Sequence, residues 1–184
     1  MAVAKSLPSV DLLRQLFRYE SETGKLYWRK RTPEMFAYSK NPLRTANHFN
    51  GNFANKEAGS IDNKGYVIVG FCKTYIKAHR IIWVIENGKD PENHIDHING
   101  IKSDNRICNL REATNSQNIA AGKVGKISHT GITGVYYRKD VGKFTASFRK
   151  DKKLKHLGYF ETIQEAEECY QTAFKKAFGE YARN

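Results

Sequence analysis

The chain has 184 residues, 40% of them hydrophobic, with 31 Lys and Arg against 19 Asp and Glu and a formal net charge of +12. That length allows one ordinary domain or two or three small ones. No apolar run approaches the roughly 20 residues of a membrane-crossing helix, and residues 1–8 carry no apolar signal core. The three cysteines, Cys72, Cys108 and Cys169, are widely spaced and form no C-x-x-C pair. They argue against a disulfide framework and structural zinc, and for a reduced, cytoplasmic protein. Such a basic chain points to a polyanion, nucleic acid by default. A membrane surface is disfavoured, because the basic residues fall in strand-like and loop segments rather than on one amphipathic helix face.

Ser9 can cap a helix over residues 10–18, with Leu12, Leu13, Leu16 and Phe17 on one face. The Thr23-Gly24 turn between Tyr19 and Leu26-Tyr27-Trp28 predicts a hairpin. Arg29, Lys30 and Arg31 follow at once, suited either to gripping a phosphate backbone or to ending a solvated strand. Residues 33–60, rich in Pro, Gly and Asn, predict a loop or linker that DNA could order. Residues 1–60 thus read as an N-terminal α+β extension.

Asp62 to Gly65 makes a turn, and residues 66–71 and 74–77 predict two strands joined at Cys72-Lys73. Residues 78–87 predict a short helix with Gly88 as its stop. In its first turn Arg80 could contact phosphate and His79 could brace a nearby centre; a pair bonded within its own domain fits equally well. Residues 93–118 carry the densest array of polar chemistry: Asp96-His97, a loop from Asn99 to Asn105, a strand-like run from Arg106 to Arg111, and a helix start at Thr114. Asp96 and Asn118 can offer a carboxylate and an amide oxygen to a hard divalent cation. His97 has the pKa range of a base that activates water. Asn99-Gly100 supplies a bend that lets neighbouring side chains serve one phosphate. Residues 123–129, Lys-containing with a glycine, read as a linker between domains at 61–122 and 130–184.

From Thr130 the pattern changes. Residues 134–138, 144–149 and 154–160 predict three strands, the second alternating Phe144, Ala146 and Phe148 with Thr145, Ser147 and Arg149. Thr162 then caps a helix carrying Ile163, Ala166, Tyr170, Ala173, Phe174 and Ala177 on one face. The other sheet face is left to Arg138, Lys143, Thr145, Ser147 and Arg149, with Lys153 and Lys155 at its edge.

Asp96-His97, Asn109 and Asn118, with the flanking Ala78-His79-Arg80, Gly88, Asn99-Gly100, Asp104-Asn105-Arg106 and Asn109-Leu110, resemble an HNH endonuclease. The likeness is to the homing-type branch of phages and group I introns, with Asn in place of the final His. It implies a ββα-metal (His-Me finger) core in an α+β fold. Asp96 and Asn118 would bind one divalent ion, Mg2+ or Mn2+; His97 would be the general base, and Asn109 would hold its imidazole. Residues 130–184 resemble the AP2 (ERF-like) DNA-binding domain through Gly134-Val135, Phe144 with Ala146, Leu157-Gly158 with Phe160, and Ala166 with Tyr170. That likeness implies a sheet in the major groove, with Tyr136 and Arg138 where the family usually has arginines; His156 replaces a usual aromatic.

The combined expectation is a monomeric, metal-dependent endonuclease acting on double-stranded DNA, with no membrane and no obligate protein partner, inside a bacterial cell if phage-encoded. DNA would be held by Arg29, Lys30, Arg31 and Arg80, and by Tyr136, Arg138, Lys143, Thr145, Ser147, Arg149, Lys153 and Lys155. The main alternative is a non-catalytic AP2-type regulator on a degenerate nuclease scaffold. An RNA-binding protein that stacks bases on Tyr136 is a third.

Overall fold

The structure is a computed structural model that describes residues 7–71, 74–122 and 129–182. The expected junction at Cys72-Lys73 and residues 123–128 of the expected linker lie outside the described residues. The chain divides into two compact units, residues 1–112 and 113–184. Among the described residues, no helix is long and apolar enough to cross a membrane.

In the first unit, the Ser9 side chain accepts from the Leu12 amide and starts α1 (Val10–Leu16). The chain turns extended at Phe17, so the helix is shorter than its apolar pattern predicts. The hairpin of β1 (Phe17–Glu20) and β2 (Lys25–Trp28) follows in register, Phe17 opposite Trp28 and Glu20 opposite Lys25. A three-stranded antiparallel sheet, β3 (Ser60–Ile61), β4 (Val67–Phe71) and β5 (Thr74–Lys77), runs directly into α3 (Ala78–Asn87). Then β6 (His94–His97) pairs with β7 (Leu110–Ala113). One core holds this unit together: Leu13 and Leu16 of α1, Phe17 and Leu26 of the hairpin, Val69 of β4, Ile81, Ile82, Val84 and Ile85 of α3, and Leu110 of β7. Each such side chain contributes about 1.5–3 kcal/mol when fully buried. The hairpin and the strand pair carrying Asp96 and His97 are therefore set against the same apolar mass.

Residues 33–60 differ from the loop their composition predicts. Pro33–Phe36 forms a 3-10 turn and α2 spans Pro42–Phe53, its start capped by the Asn41 side chain on the Arg44 amide. The physical reason is an aromatic cluster. Phe36, Phe49 and Trp28 pack ring to ring at 5.7–5.9 Å. The Arg31 guanidinium lies 4.0 Å from the Phe49 ring centre and 4.9 Å from that of Trp28, an arrangement favoured by the ring quadrupole. Asn50 fixes the same spot by accepting from the Arg31 amide and donating to its carbonyl. Beyond α2 the backbone pairs with β2 through Asn55, Lys56 and Ala58.

In the second unit, α4 (Asn115–Ala121) starts at a capping box between Thr114 and Gln117. A three-stranded sheet in the order β10 (Lys153–Phe160), β9 (Lys143–Lys150), β8 (Val135–Arg138) packs on α5 (Ile163–Phe178), which starts at a second capping box, Thr162 with Glu165. Val135, Ala146, Ala166 and Tyr170 form the buried centre, closed by Phe144, Phe148, Phe160 and Phe174. Gly134 lies in the left-handed region, φ 75°, where a Cβ would overlap the Tyr170 ring; only glycine lets that ring close over the sheet.

Candidate active site

Asp96 and His97 end β6 and are both nearly sealed from solvent, at 8% and 4% exposure. A loop returns the chain to β7, and its asparagines tie it down. The Asn99 amide donates to Asn109 Oδ1 at 2.9 Å, and Asn109 Nδ2 donates to Asn99 Oδ1 at 3.0 Å and to the Asp104 carbonyl at 2.8 Å. Arg106 grips Asp104 with two hydrogen bonds at 2.7 and 2.8 Å. That contact, with the Asn99 amide group, holds the Asp104 carboxyl down at about 2. The Asn109 side chain closes this loop, and Asn105 Oδ1 lies beside the imidazole.

Asn105 is 2% exposed, and its Oδ1 lies 3.0 Å from His97 Nε2. Asn105 Nδ2 donates to the Ser103 carbonyl at 3.4 Å, which orients the amide with its oxygen toward the ring. An amide oxygen can only accept, so Nε2–H donates and the imidazole lone pair resides on Nδ1. Burial pushes the His97 pKa below the usual range, opposed by the Asn105 bond and by Asp96 and Asp104. Burial thus favours the unprotonated ring, the form that can act as a base.

Asp96 Oδ2 accepts from Arg111 Nε at 3.0 Å, with Arg111 Nη2 also at 3.0 Å. Both side chains are about nine-tenths buried, so each charge depends on the other for its solvation. Behind His97 stands His79, 4% exposed, its ring edge-on to the His97 ring with centres 5.0 Å apart. Tyr66 closes the group, 5.5 Å from His79 and 6.0 Å from His97. Burial first, then the neighbouring cations, pushes the His79 pKa down to about 3.

The sign of the resulting stability effect follows from proton counting. Below the unfolded value of 6.5 the unfolded chain binds a proton that the folded one refuses, so stability is full above that pH and falls as pH drops toward 3. The expected loss from His79 alone is about 2 kcal/mol by pH 5. Urea unfolding of wild type and His79→Phe across this range checks it, and equal pH slopes would refute it.

The N-terminal hairpin reaches into this site. Tyr19 Oη accepts from the Ile107 amide at 2.9 Å and donates to the Asn105 carbonyl at 3.3 Å. Gly24, φ 73°, sits so close that a Cβ would lie 2.5 Å from the Arg106 nitrogen and 2.7 Å from the Asn105 carbonyl carbon. Backbone cannot yield as a side-chain tip can. Gly24→Ala should therefore displace Asn105 from His97, lowering single-turnover strand cleavage by up to ~10²-fold along with the melting temperature. An unchanged rate would disconnect the hairpin from the site.

The remaining expected residues are spread over both units. Arg80 is in the first turn of α3, half-buried. Arg29 and Lys30 are exposed, whereas Arg31 is held in the aromatic cluster. In the second unit Asn118 lies half-buried on α4. Tyr136, Arg138, Arg149, Lys153 and Lys155 are exposed. Arg138 pairs with Asp140 at 2.6 Å and Lys143 with Glu161 at 2.6 Å. Thr145 is 7% exposed, and its hydroxyl is engaged by His156 and the Gly158 carbonyl within the sheet. Lys155 stands opposite Phe148, which gives it that residue's face rather than that of Arg149. Sequence reasoning missed Asn105 and Tyr66, and gave no role to Arg111.

Among the described residues no group of three or more His, Cys, Asp or Glu side chains is arranged to hold a metal ion. Asp96 supplies one carboxylate in the first unit, an oxygen donor of the kind that hard divalent cations take. Residues 77–120 match the family model described as HNH endonuclease. No curated protein and no solved structure matches the chain. The matched span runs from the end of β5 to α4 and takes in Asp96, His97, Asn105, Asn109 and Asn118. It supports nuclease chemistry on DNA.

Proposed function

We propose that this HNH endonuclease domain makes the protein a metal-dependent DNA endonuclease, with His97 as the general base. The observation that carries the reading is the buried imidazole whose Nε2 is engaged by Asn105 Oδ1 at 3.0 Å beside the Asp96 carboxylate. Nδ1 of a neutral, oriented ring takes the proton from the attacking water. Asp96 and Asn118 would hold one Mg2+ or Mn2+. Such an ion, when bound, stabilises negative charge on the phosphate and its leaving oxygen. Arg111 holds the Asp96 carboxylate in place through Oδ2. The products are a 5′-phosphate and a 3′-hydroxyl.

The basic sheet of the second unit supplies sequence preference in the manner of an AP2-like domain, with Tyr136 and Arg149 on its outer face. The Arg111–Asp96 ion pair favours a second reading, a non-catalytic DNA-binding scaffold in which arginine replaces the metal. Supercoiled plasmid separates the two. With Mg2+ or Mn2+ the protein should relax or linearise it, and EDTA should stop the reaction. Binding without any metal-dependent cutting would establish the scaffold.

A further inference from the structure

The start of α3 gathers positive charge that the chemistry above does not use. Lys77 precedes the first residue of α3 and caps its N-terminus, and it makes no side-chain capping bond. The positive dipole end of the helix therefore faces the site without a side-chain cap from Lys77. The Lys77 ammonium lies 3.7 Å from the centre of the Tyr66 ring, and the Lys102 ammonium lies 4.8 Å from the same centre. Lys102 is pinned there, donating to the Lys64 carbonyl at 3.0 Å.

Both lysines are exposed, and neither is among the described ion pairs. Lys25 and Lys89 of the same unit, by contrast, sit on Glu57 and Glu92. Partial desolvation holds the Lys77 ammonium below the usual lysine range; Asp62 opposes this, and Lys64, Lys102 and Arg80 reinforce it. In the same helical turn His79 Nδ1 and Arg80 Nε are buried with no hydrogen-bond partner. The Tyr66 ring that carries the two lysines lies 6.0 Å from the His97 ring, centre to centre.

Two ammonium groups fixed on one aromatic ring, beside a helix start whose N-cap side chain makes no capping bond, are complementary to a phosphate. We propose that Lys77 and Lys102, seated on Tyr66, bind one uncut phosphate of the DNA strand next to the phosphodiester that is cleaved. The site rests on the nuclease reading for its ligand. It gives the strand a register: one phosphate on the lysine pair places its neighbour at His97.

The test is binding of a short fluorescent DNA duplex in EDTA, read by anisotropy over a range of salt. Lys77→Gln/Lys102→Gln should bind more weakly and flatten the slope of log affinity against log salt by about 1. Lys77→Arg/Lys102→Arg should restore the slope. Lys25→Gln/Lys89→Gln, which removes the same charge elsewhere, should leave it near wild type. An unchanged slope in the Lys77/Lys102 variant, or an equal change in the control pair, overturns the site. Because nothing is cleaved in EDTA, a protein that shows the slope change yet never cuts plasmid retains the phosphate site and loses the nuclease reading.

Discussion

His97→Ala is expected to lower single-turnover DNA cleavage by ~10²–10⁴-fold, the usual cost of removing a positioned general base. DNA affinity should stay within about threefold of wild type, because phosphate contacts elsewhere supply most of it. The side chain is 4% exposed, so its removal leaves a hole lined by Asn105, His79 and Tyr66. Free imidazole added to the variant should recover part of the rate, with a pH dependence that follows the imidazole's own titration. Cleavage at the wild-type rate in the variant would remove His97 from the chemistry.

Asp96→Asn is the second large effect. A lost carboxylate ligand weakens the hold on a divalent ion whose charge stabilisation is worth several kcal/mol, which corresponds to about three decades in rate. The amide keeps an acceptor for Arg111, yet the arginine loses its counter-charge in a nearly closed site, and breaking such a pair costs about 3–5 kcal/mol. The variant should melt lower as well as cut slower. Raising Mg2+ or Mn2+ separates the two causes: it should recover cleavage while leaving the melting temperature behind. Loss of activity that no metal concentration relieves would assign Asp96 to folding alone.

Much of this architecture is written in short local signals. Ser9, Thr114 and Thr162 each accept a backbone N–H at a helix start, and Gly88 ends α3 in the left-handed conformation. The alternation of Phe144, Ala146 and Phe148 sets which face of β9 meets α5. The sequence says less where composition and environment diverge. Residues 33–60 look like a linker because prolines, glycines and several asparagines interrupt them. Ala46, Phe49 and Phe53 nevertheless recur at helical spacing, and two aromatic partners, Trp28 and Phe36, are needed to make them a structure. Thr145 alternates outward by strand parity, but His156 and the Gly158 carbonyl on the neighbouring strand cover it.

At the site, the pairing of an acid with an imidazole is visible as adjacent letters, while their support is not. Asn105 reads as one more turn-forming asparagine, and only the closure of the Asn99–Asn109 loop carries it to Nε2. Tyr66 reads as the first residue of a strand, and nothing local reveals that its ring meets two histidines and two lysines. Gly24 reads as a hairpin turn, and its closeness to Asn105 exists only in three dimensions.

The central claim is that a neutral, buried His97 takes the proton from water. The most direct test follows the titration of the His97 ring by NMR and the acid limb of single-turnover cleavage on the same preparation. Burial lowers the folded pKa, and only the unprotonated ring can act as base, so cleavage should hold steady below pH 6.5 and fall only as the ring takes up its proton. The account predicts that the two midpoints coincide below 6.5. Full cleavage with His97 protonated, or an acid limb that persists unchanged in His97→Ala, would contradict it.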